Sequence, residues 1–169
     1  MKYLIPLLIA CVLTSCISVQ ADITAPEQTE PNGSQTVIIT KNEAKSDQSE
    51  AEAGIRLVMK QQEVAWNNHD LEGFMQGYWN SEELKFYGAS GLTKGWNQTL
   101  ANYKKNYPTK AESGILKFTI NDIFEIQNRS YYVMGEFYLT REIGDANGVF
   151  IIIFKKIDGE WKIIADMTC

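Results

Sequence analysis

The chain has 169 residues, 44% hydrophobic and 22% charged, a balance that fits one ordinary globular domain and excludes a wholly disordered chain. Its formal net charge of −5 offers no basic excess for phosphate backbones, and a single histidine, His69, excludes a histidine-cluster metal site. Three cysteines, Cys11, Cys16 and Cys169, are too few and too far apart for a zinc module or a disulfide scaffold, so neither metal nor cofactor is expected.

Met1-Lys2 supplies a positive start, and Tyr3 to Thr14 is an apolar run of about a dozen residues. That is the length of a signal h-region, not of a membrane span. The run ends in Leu13-Thr14-Ser15-Cys16, which resembles the bacterial lipobox. The resemblance implies cleavage before Cys16, thioether lipidation of its sulfur and acylation of the new amino group. Residues 1–15 are then a lipoprotein signal peptide, and Cys16 anchors the mature chain in the bacterial cell envelope. Ile17 in place of an aspartate points to the outer membrane, facing the periplasm. A plain secretory signal cut near Ala21 is the alternative. Several acyl chains, at about 0.8 kcal/mol per buried methylene, hold a protein at a membrane almost permanently.

Residues 16–52 read as the lipidated cysteine and a flexible acidic tether, with a short extended patch at Val37-Ile38-Ile39. From Ile17 to Glu52 there are seven acids, two bases and no aromatic residue, too little apolar surface to offset the ordering entropy. Residues 53–169 hold fourteen acids and thirteen bases, so this domain is close to neutral and no nucleic acid is expected as a partner. It also holds eighteen of the nineteen aromatic residues.

Within the domain, Ile55, Val58, Met59, Val64 and Ala65 recur at helical spacing from Ala53 to Asn68. Asp70 is a good N-cap for a second helix from Leu71 to about Trp79. Glu83 to Gly88 reads as a strand, and Gly88, Gly91 and Gly95 punctuate a turn; no phosphate loop follows from them. Gly95 to Tyr107 returns to helical spacing and Pro108 stops it. From Gly114 the period becomes two. Strands are expected from Leu116 to Ile126 with a bulge at Asn121-Asp122, from Tyr131 to Arg141, from Val149 to Lys156 and from Trp161 to Thr168, the last two joined at Asp158-Gly159. Helices gather first and antiparallel hairpins follow, which is an α+β arrangement: a curved antiparallel sheet around three helices.

Several segments in this order carry a family resemblance: Ala65-Trp66-Asn67, Asp70-Leu71-Glu72-Gly73-Phe74 and Tyr78, then Leu92-Thr93-Lys94-Gly95-Trp96, Gly148-Val149-Phe150, and the run from Lys155 to Asp166 through Asp158-Gly159-Glu160-Trp161. Together they resemble the nuclear transport factor 2-like superfamily, also called SnoaL-like or ketosteroid-isomerase-like, over residues 54–168. The resemblance implies a cone-shaped half-open barrel, a pocket between sheet and helices, and frequent dimerisation through the sheet. The cone has served isomerases, cyclases, dehydratases and protein adaptors, so it does not assign a reaction.

An isomerase on this fold needs a carboxylate base in an apolar pocket and hydroxyl donors for an enolate; ketosteroid isomerase is the standard example. The interior candidates are Asp122, Glu136 and Asp166, with Tyr78, Tyr87, Tyr103 and Tyr138 as donors; Glu136 and Asp166 are the catalytic candidates. Glu136 shares its phase with Met134 and Tyr138 and faces whatever they face, pocket or solvent. Asp166 is a base or a structural group that caps or pairs with Arg56. His69 reads as a helix-junction residue. Trp66, Tyr78, Trp79, Tyr87, Trp96, Tyr103, Phe118 and Tyr138 are the candidate wall of a ligand pocket. Many aromatics with few convergent polar groups favour a domain that binds a small apolar molecule. The alternatives are an isomerase- or dehydratase-like enzyme with a pocket carboxylate, and a dimeric interaction module. Apolar residues at both phases of Val149 to Phe154 imply cover on both faces of that strand, hence a homodimer.

Overall fold

The computed structural model describes residues 34–127 and 129–169, with side chains from residue 46 onward; the expected signal peptide and Cys16 lie outside them. Helix α1 spans Ser34–Asn67, and its buried residues Ala51, Ile55, Met59, Gln62 and Trp66 form one stripe. The helix therefore begins inside the segment expected to be a tether. Val37-Ile38-Ile39 lies in it rather than in an extended patch, and the core reaches back to Ala51. A composition poor in large apolar residues does not preclude a helix: once the turns from Ala51 to Trp66 pack, helix propagates N-terminally at one backbone bond per residue, even through residues of middling propensity. Gly54 lets α1 approach Trp161, since a Cβ there would stand 2.6 Å from the indole.

Helix α2 spans Leu71–Met75, capped by Asp70, whose Oδ1 accepts from Gly73 N at 2.8 Å. It stops four residues short of the expected end. Gly77 O accepts from Ile163 N and Trp79 N donates to Ile163 O, both at 2.9 Å, so the chain leaves the helix to pair with a strand. Strand β1 (Lys85–Gly88) lies within the strand expected from Glu83 to Gly88; β2 (Gly91–Lys94) pairs with it as a hairpin where only a turn was expected, and α3 spans Trp96–Asn106. One turn, α4 (Lys110–Ser113), was not anticipated; its signal is the capping box Thr109-Lys110-Ala111-Glu112.

Strands β3 (Ile115–Gln127), β4 (Ser130–Thr140), β5 (Ala146–Ile157) and β6 (Glu160–Thr168) follow. Asp158 and Gly159 both have positive φ, 50° and 87°, as the primed hairpin turn requires. The six strands lie in the order β2-β1-β6-β5-β4-β3 in one curved sheet. It is mixed rather than wholly antiparallel, because β1 pairs with β6 in parallel. Three bulges bend it. Asn121, as expected, and Ile126 are the extra residues of β3 opposite β4, and Ile164 is the extra residue of β6 opposite β5. One face of the sheet shares a single core with α1 and α2, and Trp96, Leu100 and Tyr103 of α3 pack against it.

Candidate functional site

The helices do not fill the concave face. A chamber of about 110 Å³ remains between Trp66, Phe74, Tyr78, Tyr103 and Tyr107 on the helical side and Phe86, Phe118, Phe137, Phe150 and Ile152 on the sheet side. The rings pack edge to face: Trp66 stands 5.0 Å from Phe74 and 4.8 Å from Tyr107, and Tyr103 lies 5.2 Å from Phe74, centroid to centroid. Gln62, at the chamber wall, donates to Phe74 O at 3.1 Å.

One carboxylate enters this apolar space. Asp166, 7% exposed, accepts from the Tyr78 hydroxyl at 2.6 Å and from Thr168 Oγ1 at 2.5 Å. With its proton committed to Asp166, Tyr78 accepts from the Tyr103 hydroxyl across 3.5 Å. Burial pushes Asp166 up to about 6 against the pull of the hydrogen bonds from Thr168 and Tyr78. Burial first, and then the negative charge of Asp166, hold Tyr78 and Tyr103 well above the ordinary phenol range. Both therefore stay neutral.

The bulge at Ile164 places Asp166 here. Trp161 and Ile163 share the inward phase, and strict alternation would carry Ala165 and Met167 to that face and Asp166 to the other. The extra residue shifts the phase, so Asp166 and Thr168 turn inward while Met167 is exposed. Asp166 pairs with Phe86 on β1 and Ile152 on β5, and both neighbours line the chamber.

Four of the eight expected wall residues are brought together: Trp66, Tyr78, Tyr103 and Phe118. The other four lie elsewhere. Tyr87 and Tyr138 are on the outer face of the sheet, 49% and 44% exposed, and the inward neighbours Phe86 and Phe137 occupy the wall instead. That is a one-residue phase error: a tyrosine can leave its hydroxyl in water, whereas phenylalanine has nothing to hydrate. Trp96 donates from Nε1 to Met75 O at 2.9 Å and packs beside the core, and half-buried Trp79 is held by its backbone bond to Ile163. Glu136 is also on the outer face, with Met134 and Tyr138. It accepts from Asn121 Nδ2 at 3.1 Å and from the Tyr138 hydroxyl, and those bonds hold it below the usual carboxylate range. Asp122 is exposed and accepts from Tyr132. Neither carboxylate is placed to act in the chamber. Asp166 pairs with hydroxyls and not with Arg56.

Outside the chamber, a vestibule of about 260 Å³ shares Phe86, Tyr103, Tyr107, Phe137 and Thr168 with it and adds Ser90, Thr93, Asn102 and Asn106. His69, at φ 58°, ends α1 and its Nδ1 is 3.0 Å from Ser113 Oγ, a bond at the helix junction away from the chamber. Among the described residues no group of three His, Cys, Asp or Glu side chains is placed to hold a metal ion.

No protein-family model and no curated protein matches the sequence. Solved structures do. A nuclear transport factor 2-like protein of unknown function from Shewanella oneidensis MR-1 is 42% identical over 69% of this chain and 97% of its own, with a TM-score of 0.66. The chain belongs to the nuclear transport factor 2-like superfamily. A superfamily protein from Salmonella enterica (15% identity, 72% and 92% coverage, TM-score 0.56) shares the fold. So does a ketosteroid isomerase-like protein from Erwinia carotovora atroseptica (13%, 69% and 92%, 0.55). The nuclear transport factor 2-like cone thus accounts for the curved open sheet, and the chamber lies between its concave face and the helices.

Proposed function

We propose that this protein is a lipid-anchored component of the bacterial cell envelope, held through Cys16 at the outer membrane and facing the periplasm, whose nuclear transport factor 2-like domain binds a small apolar or amphipathic molecule. The chamber carries the reading: a ring-walled hollow of about 110 Å³ with one buried polar network at its side. A cavity of about 150 Å³ takes benzene, and pockets for drug-sized ligands run to about 300 Å³ or more, so the occupant is of benzene scale and not a steroid or an acyl chain.

An isomerase-like reaction is the second reading, favoured by the buried carboxylate beside two phenols. Enolate chemistry needs a base and a separate donor for the oxyanion, and here the proton of Tyr78 already lies on Asp166. That internal pairing favours binding. A homodimer through the outer sheet face accompanies the proposal, because Met134, Ile151, Met167, Tyr87 and Leu92 follow one another across the strands on that face, all exposed.

Thermal melts of the full chain with toluene, phenol and a steroid test the binding reading. Stabilisation by the small compounds alone is expected, about 2.7 kcal/mol at a hundredfold excess over Kd. No shift with any of the small compounds overturns it. Deuterium wash-in at the α-carbon of acetone in D₂O would establish the enzyme reading instead.

A further inference from the structure

Asp166 is an unbalanced charge. Its oxygens accept only from the hydroxyls of Tyr78 and Thr168, and no Lys, Arg or His lines the chamber. The ion pairs of the described residues lie elsewhere on the surface. A carboxylate among apolar groups is favourable only when something compensates it, and dipoles do so in part. Rings such as Trp66, Phe86 and Tyr103 beside it carry negative faces that attract cations and repel anions.

From this arrangement we propose that the chamber binds a small quaternary ammonium cation, its head between the rings and Asp166 and a short polar arm reaching past Phe86 and Tyr103 into the vestibule. The proposal rests on the reading that the chamber holds a small organic molecule and names the class. Charge selects it first: a cation supplies the missing counter-charge where the dielectric is low, and the chamber lining holds no Lys, Arg or His for an anion. Hydrogen bonding selects next. A primary ammonium brings three N–H donors, and each one buried without an acceptor costs about 1–3 kcal/mol. A quaternary nitrogen has no N–H and so no such penalty in a space walled mainly by carbon. Size agrees, because a chamber of about 110 Å³ holds a methylated head but not a long chain. The vestibule supplies amides for the arm, Asn106 and Asn102, the latter donating to Thr93 Oγ1 at 3.1 Å.

The polar groups facing Asp166 are Tyr78 from the segment after α2, Tyr103 from α3 and Thr168 from its own strand; Phe86 on β1 and Ile152 on β5 bring no charge, and Tyr107, just beyond α3, lines the chamber within the field of Arg141, which is itself not part of the lining. Burial holds all three phenols neutral, so Asp166 alone titrates in the chamber between pH 5 and 8, near its value of about 6.

Calorimetry on the full chain decides the matter with choline and its uncharged carbon isostere, 3,3-dimethylbutan-1-ol. At pH 7.5 choline should bind at least about tenfold more tightly than the isostere. Its affinity should fall about tenfold from pH 7.5 to pH 5 as Asp166 takes up a proton. Asp166→Asn should abolish the preference, with circular dichroism confirming the fold; the pH series on the unaltered protein stands independently of that variant. An isostere that binds as well as choline, or a choline affinity indifferent to pH, overturns the cation and leaves the small-molecule reading in place. Binding of neither probe, together with no thermal shift from toluene or phenol, removes both.

Discussion

Asp166 sets the balance between stability and a receptive chamber. Its folded-state value of about 6 lies above the ordinary 3.8, so the native state binds the proton more tightly than the unfolded chain does. The resulting destabilisation is fully present above about pH 6 and absent below about pH 4, and two units correspond to about 3 kcal/mol. Asp166→Asn removes the charge; its amide oxygen still accepts from Tyr78, and its Nδ2 faces Thr168 Oγ1, so that the Thr168 bond reverses direction. The variant should therefore be more stable than the native protein by about 1–2 kcal/mol at pH 7.5, with the advantage gone at pH 4, in thermal melts at the two values. An equal difference at both pH values would show that burial of the charge is not what strains the site. Gly135, by contrast, serves packing: a Cβ there would meet Thr119 O at 2.3 Å and the Phe150 ring at 2.5 Å.

Among the elements, the contact between α1 and β3 solves a problem of the open sheet. β3 is an edge strand, and its unpaired backbone invites other strands. Side chains of α1 satisfy that edge. Asn67 Oδ1 accepts from Leu116 N at 2.7 Å and its Nδ2 donates to Leu116 O at 3.2 Å, while Glu63 Oε1 accepts from Phe118 N at 2.7 Å. Asn67→Ala leaves both groups of Leu116 without partners in a half-buried place. It should cost about 2 kcal/mol, a fall in Tm of about 4–8 °C by calorimetry, and raise the tendency to aggregate. These contacts join residues some fifty positions apart, and helical periodicity contains no trace of them. The elements themselves were legible. Asp70 as a cap, the Asp158-Gly159 hairpin and the bulge at Asn121 are local chemistry and appear where local chemistry puts them. The bulge at Ile164 was not, because an apolar residue in an apolar strand gives no sign of being the extra one.

At the scale of the molecule, the two faces of the sheet have different fates. Phe150, Ile152 and Phe154 turn to the core, and Val149 and Ile151, on the other phase of β5, are 59% and 44% exposed. If a second copy covers that face, Ile151→Lys together with Met134→Lys should convert a dimer to a monomer in sedimentation experiments without lowering Tm by more than about 4 °C. An unchanged sedimentation coefficient would mean that the face has another use. The proposed anchoring is independent of the fold. Cys16→Ser should move the protein from the membrane to the soluble fraction on cell fractionation, since no lipid could then be attached. A variant that stays in the membrane fraction would refute the anchor.

Local sequence alone determined the α+β order, the hairpins, the caps and the aromatic supply of the core, because helix and strand periods, turn residues and hydrophobicity act between near neighbours. It also carries Leu13-Thr14-Ser15-Cys16, whose resemblance to a lipobox is a matter of local sequence and not of the fold. Only the tertiary structure decided which phase of each strand faces inward, that β1 joins β6 in parallel, and that of Asp122, Glu136 and Asp166 the last alone reaches the chamber. Phase is a property of the whole strand. One inserted residue reverses it for every residue beyond, and the energy that settles the choice comes from groups far away in the chain.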